Sequence, residues 1–142
     1  MNPHPARLAP ERTLPPYTYV PGRSPHPMSD PAGHSYGQPP EKPPPLDPAR
    51  WSESPTYLYG FDLFNHGYYW EAHEAWESLW HACGRAGVTA SFLKGLIKLA
   101  AAGVKAREGK PEGVRSHARR SAGYRFNDTL AQSYWITLSL LG

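Results

Sequence analysis

The chain has 142 residues, a formal net charge of +3 and one cysteine, Cys83. That length holds one domain and hardly two. A single thiol excludes an intramolecular disulfide and a cysteine-rich zinc cluster. No apolar run approaches the ~20 residues of a membrane-spanning helix, and the N-terminus lacks the apolar stretch of a signal peptide, so a cytoplasmic protein without a membrane partner is expected.

Proline draws the internal boundary. Sixteen of the 17 prolines fall between Pro3 and Pro55. Each removes a backbone donor and fixes φ, which forbids helix ladders and sheet interiors alike. The same stretch is poor in Val, Ile, Leu and Phe and cannot offset its ordering entropy by burial. Residues 1–55 therefore read as a disordered, Pro-rich N-terminal arm, and residues 56–142 as a helical domain. The arm's five basic and five acidic residues cancel, leaving ten Lys/Arg against seven Asp/Glu in the domain. An excess that small, concentrated between Lys105 and Arg125, reads as a solvated helix face and argues against nucleic acid as a partner.

In chain order, Tyr57 to His66 forms a first short helix, with Leu58, Phe61, Leu63 and Phe64 as its apolar residues and Gly67 as the glycine that turns the chain. The second runs from Tyr68 to about Cys83, stopped by Gly84. Tyr69, Ala72, Trp76, Leu79, Trp80 and Cys83 recur at spacings of three and four, with His73 inside that stripe and Glu71, Glu74 and Ser78 mostly outside it. Thr89 is placed to cap a third helix, about Ala90 to Arg107, which buries Leu93, Leu96, Ile97, Ala100, Ala101 and Val104. Pro111 suits the first turn of a fourth, reaching about Ser121, and Thr129 to Leu141 forms the last. No strand pattern appears. The fold class is all-α, a compact array of about four or five short helices.

The chemistry-bearing residues cluster in the second helix. His73 and Glu77 are four apart, so both project from one face, and Trp80 follows one turn later. Such a pair can share a proton as a catalytic dyad, ligate a metal, or satisfy each other in a packed interior. The run is not H-E-x-x-H, since Glu77 stands where a second His would be. A metal would need further ligands, with His66, Asp62, His81 and His117 as the candidates, and a divalent ion such as Zn or Mn would be the cofactor. Trp70, Trp76 and Trp80 read first as core, with a wall around a small-ligand pocket as the alternative. Cys83, at a helix C-terminus, reads as a small buried hydrophobe rather than a nucleophile.

The run Phe64-Asn65-His66-Gly67-Tyr68-Tyr69-Trp70-Glu71-Ala72-His73-Glu74-Ala75-Trp76-Glu77-Ser78-Leu79-Trp80, followed by Phe92-Leu93-Lys94-Gly95-Leu96-Ile97, resembles the domain of unknown function 309 family. The resemblance covers about Tyr59 to Arg120. It implies a small all-helical fold and a catalytic or metal-binding role for the H-x-x-x-E-x-x-W signature, here His73, Glu77 and Trp80, but no reaction. The arm lies outside the family pattern, and the segment from Gly123 onward departs from a Leu-rich closing helix. The residues themselves favour an interaction or structural module with a buried His–Glu–Trp cluster, associating with another protein or as a homo-oligomer. The alternative is a metal-dependent, hydrolase-like enzyme using His73 and Glu77.

Overall fold

A computed structural model describes residues 6–110 as three α-helices preceded by a long irregular arm. The expected helices from Pro111 and from Thr129 lie outside these residues. A short 3-10 helix, Pro48–Glu53, leads into α1, Pro55–Asn65; α2 spans Tyr69–Ala82 and α3 spans Val88–Arg107. There is no strand among the described residues, as the sequence pattern predicts. None of the described helices is long and apolar enough to cross a membrane.

Local chemistry explains the boundaries. Ser54 caps α1, its hydroxyl accepting from the Tyr57 N–H at 3.3 Å, and Pro55 opens the first turn where its missing N–H costs nothing. Gly67 and Gly84 adopt φ of +84° and +77° after α1 and α2, so both stops fall at the expected glycines. The start of α3 differs from expectation. Gly87, at φ +95°, holds the cap position and no side chain caps the helix, while Thr89 lies inside the first turn. The tight turn through Arg85 and Gly87 needs positive φ at both, and that backbone demand overrides the preference for a hydroxyl cap.

The core lies where α2 crosses α1 and α3. Tyr57, Phe61, Ala72, Trp76, Leu79, Phe92, Leu93 and Ala100 are each at most 1% exposed. Trp76 packs edge-on against Phe61 with ring centroids 4.9 Å apart, and its indole N–H donates to the Tyr57 carbonyl at 3.3 Å. Gly60 makes this approach feasible, because a Cβ there would stand 2.2 Å from Trp76 Nε1. Since that neighbour is a buried ring rather than a flexible chain end, Gly60→Ala is expected to cost about 1–3 kcal/mol by overpacking, measured by urea unfolding.

Over residues 6–47 the arm has no regular secondary structure, as proline dictates, yet it is not without contacts. It lies against α1 and α2 and buries Ala9, Pro27 and Leu46. Acceptors on the helices supply what a ladder cannot.

Candidate functional site

Two buried carboxylates hold the arm. Asp62, on α1, is 1% exposed; its oxygens accept the Leu8 N–H at 2.7 Å and the Ala9 N–H at 2.8 Å, and the Arg7 guanidinium lies 3.0 Å away. Glu71, on α2, is 6% exposed and accepts from Thr18 Oγ1 at 2.7 Å, the Tyr19 N–H at 3.0 Å and His34 Nε2 at 2.9 Å. An ionised carboxylate only accepts, so Nε2 of His34 carries the proton, and Nδ1 meets Ser35 Oγ at 2.8 Å. Buried charges stay stable only when every oxygen is engaged, and both are.

Aromatic contacts follow the same path. Tyr19 and His26 of the arm pack edge-on against Trp70, with centroids 5.3 and 5.6 Å away. Tyr59 donates its hydroxyl to the Thr13 carbonyl at 2.6 Å, and Arg12 lies over its ring. Burial pushes the Tyr59 phenol above its ordinary value, while Arg7 and Arg12 pull the other way. A raised phenol favours the neutral donor in the folded state. Its stabilising effect is therefore complete below the ordinary phenol pKa of ~10 and lost as pH rises through the folded value. Tyr59→Phe should remove that alkaline step from the arm's proteolytic susceptibility.

Between arm residues 34–43 and the outer face of α2 runs a groove of about 800 Å³. Trp70, Glu74, Glu77 and His81 line one side, and Pro39 and Pro40 the other.

His73 and Glu77 form the pair that their spacing predicts, with Nε2 and Oε2 at 2.9 Å. The pair is not buried, however, the two side chains being 26% and 34% exposed. It sits on the rim of α2 because the fully covered stripe is carried by Ala72, Trp76 and Leu79. Glu74, read from the sequence as lying mostly outside the apolar stripe, stands beside the pair. Its Oε1 stands 3.4 Å from His73 Nδ1, and ligand atoms of His73, Glu74 and Glu77 all lie within 4.8 Å of one another. His81 extends the chain, Nε2 being 3.5 Å from Glu77 Oε1. The His73 Nδ1 atom is itself covered and has no hydrogen-bond partner. One nitrogen and two carboxylate oxygens so close together could hold a metal ion.

The other anticipated residues are placed differently from one another. Trp70 faces the arm and groove, Trp76 is core at 1% exposure, and Trp80 is partly buried with Lys94 Nζ 4.1 Å above its ring and His81 beside it. Of the further ligands considered, His81 lies near Glu77, Asp62 is taken by the arm, and His117 is outside the described residues. Cys83 is a partly buried thiol whose Sγ reaches the Trp80 carbonyl at 3.2 Å.

Residues 57–117 match the model of a family described as a domain of unknown function (DUF309). No curated protein and no solved structure matches the chain.

Proposed function

From the match of residues 57–117 to the domain of unknown function 309 family, we propose that this chain is an interaction module whose α1/α2 face grips an extended polypeptide segment. The observation that carries this reading is the pair of buried carboxylates, each turned to donors some fifty residues away in sequence. Proline leaves an extended chain few N–H groups, and a face that accepts the remaining ones selects for backbone in that conformation. In this chain the arm is the segment held, and Trp70 provides an aromatic seat for Tyr19. Limited proteolysis of the full chain tests the proposal. Glu71→Gln should open residues 6–36 to cleavage while the helical part survives, because the amide cannot accept from the hydroxyl, the N–H and the imidazole together. Equal resistance in the variant and the native protein would count against it.

A second reading is supported by the covered, unbonded Nδ1 of His73 among three converging donor atoms. His73, Glu74 and Glu77 would hold a divalent cation, which would supply Lewis-acid polarisation beside the groove. A cation bound only by the folded state stabilises it by about 2.7 kcal/mol at one hundred times its dissociation constant. Zn²⁺ or Mn²⁺ added to tag-free protein should therefore raise the melting temperature, and His73→Ala should abolish the rise. Without metal, the same substitution should change stability by less than about 1 kcal/mol, since the pair is a partly exposed i,i+4 contact. A melting temperature indifferent to metal removes this reading and leaves the first intact.

A further inference from the structure

The helices hold the arm in part by its main chain. Asp62 takes the N–H groups of Leu8 and Ala9, and Glu71 takes that of Tyr19. A carboxylate accepting an N–H responds to its position and direction, not to which copy of a chain supplies it. The path from the docked segment back to the helices runs through residues 37–45, which carry five prolines, no helix or strand, and side chains that are exposed except at Pro43. Nine residues in a polyproline-like path reach about 28 Å. That is enough to leave one small domain and enter its neighbour, since a hundred-residue domain has a radius of gyration near ~13 Å. Proline also stiffens the path and resists tight doubling back. Leu46, buried at 5%, anchors its far end in the core. Near its middle, Glu41 accepts from Thr56 Oγ1 at 2.6 Å and from Arg12 at 3.1 Å, ties that must open for the path to swing away.

We propose that the arm exchanges between two copies of this chain, residues 6–36 of each docking on the Asp62/Glu71 face of the other, with residues 37–45 as the hinge. The proposal rests on the reading of that face as a grip for extended chain and adds its partner, a second copy. Exchange creates no new contact in either site; it swaps intramolecular contacts for identical intermolecular ones about a two-fold axis. The balance is therefore set by the effective concentration of the tethered arm, on the order of millimolar for a short linker.

Two full-length variants test this directly. Ala9→Pro with Tyr19→Pro removes two of the N–H donors and leaves the face intact. Asp62→Asn with Glu71→Gln leaves the arm intact and spoils the face, because a side-chain amide presents a donor where the carboxylate accepts. Circular dichroism first establishes that both retain native helix content, and amide exchange that both have loosened arms. Each alone should sediment as a monomer of 15.8 kDa. Mixed in equal amounts they should form a one-to-one complex, the arm of the second occupying the vacant face of the first, at about tenfold lower concentration than the native chain dimerises. A native chain that stays monomeric through the millimolar range, or a mixture that sediments as two monomers, overturns the exchange. If the arms are loosened and no complex forms, the grip stands and only the exchange falls. If the arms are not loosened in either variant, both the grip and the exchange fall.

Discussion

Trp76→Ala should cost about 3–5 kcal/mol in urea unfolding and leave the helical part close to its folding threshold. Among the described residues, Trp76 is the largest fully buried side chain and is 1% exposed. It contacts Phe61 and, with centroids 6.2 Å apart, Phe64, while Gly60 of α1 leaves room for the indole edge. Removing it opens a void at the α1/α2 crossing that the neighbouring helix backbone cannot close, so the cavity adds to the lost transfer energy. It also strips the Tyr57 carbonyl of the indole donor. Trp76→Phe separates the two effects, keeping most of the ring volume while losing that bond, at about 1–2 kcal/mol. Trp80→Ala should cost less, since Trp80 is only partly buried and its cation contact with Lys94 is worth about 0.5–1 kcal/mol.

The second large effect lies outside the core. Asp62→Ala removes the acceptor of the Leu8 and Ala9 N–H groups and the counter-charge of Arg7. Breaking one partner out of a buried ionic contact ordinarily costs about 3–5 kcal/mol, because the other partner is left buried and unpaired. Here the stranded donors belong to an arm that can leave the surface and hydrate, so the loss is capped at the free energy of docking. The expected result is thus asymmetric. Amide protection and protease resistance in residues 6–36 collapse, while the melting transition of α1 to α3 moves little. A global loss of stability as large as that of Trp76→Ala would mean that arm and helices form one cooperative unit.

The helices were legible because period and punctuation agreed. Apolar residues at spacings of three and four marked α2 and α3, and Gly67 and Gly84 ended their helices where φ had to be positive. Thr89 misled because residue type suggested a cap while the backbone turn at Gly87 decided it. The His73–Glu77 contact followed from helical geometry alone, but its exposure did not, since a histidine inside an apolar stripe can sit at the stripe's edge. Glu74 was hidden because i,i+4 reasoning considers one ring nitrogen and the neighbouring residue reaches the other. Asp62 and Glu71 carried no readable signal as holders of the arm. Their main-chain partners stand more than fifty residues away in a segment whose composition argues for disorder. The one available hint was an acidic residue in each of two otherwise apolar runs, at Phe61-Asp62-Leu63-Phe64 and Trp70-Glu71-Ala72.

The measurement closest to the central claim is hydrogen exchange at the Leu8, Ala9 and Tyr19 amides of the full chain. Retarded exchange at all three, lost in Asp62→Asn and in Glu71→Gln, is the predicted outcome. Exchange at the rates of an unstructured peptide in the native protein would contradict a helical face built to hold extended chain.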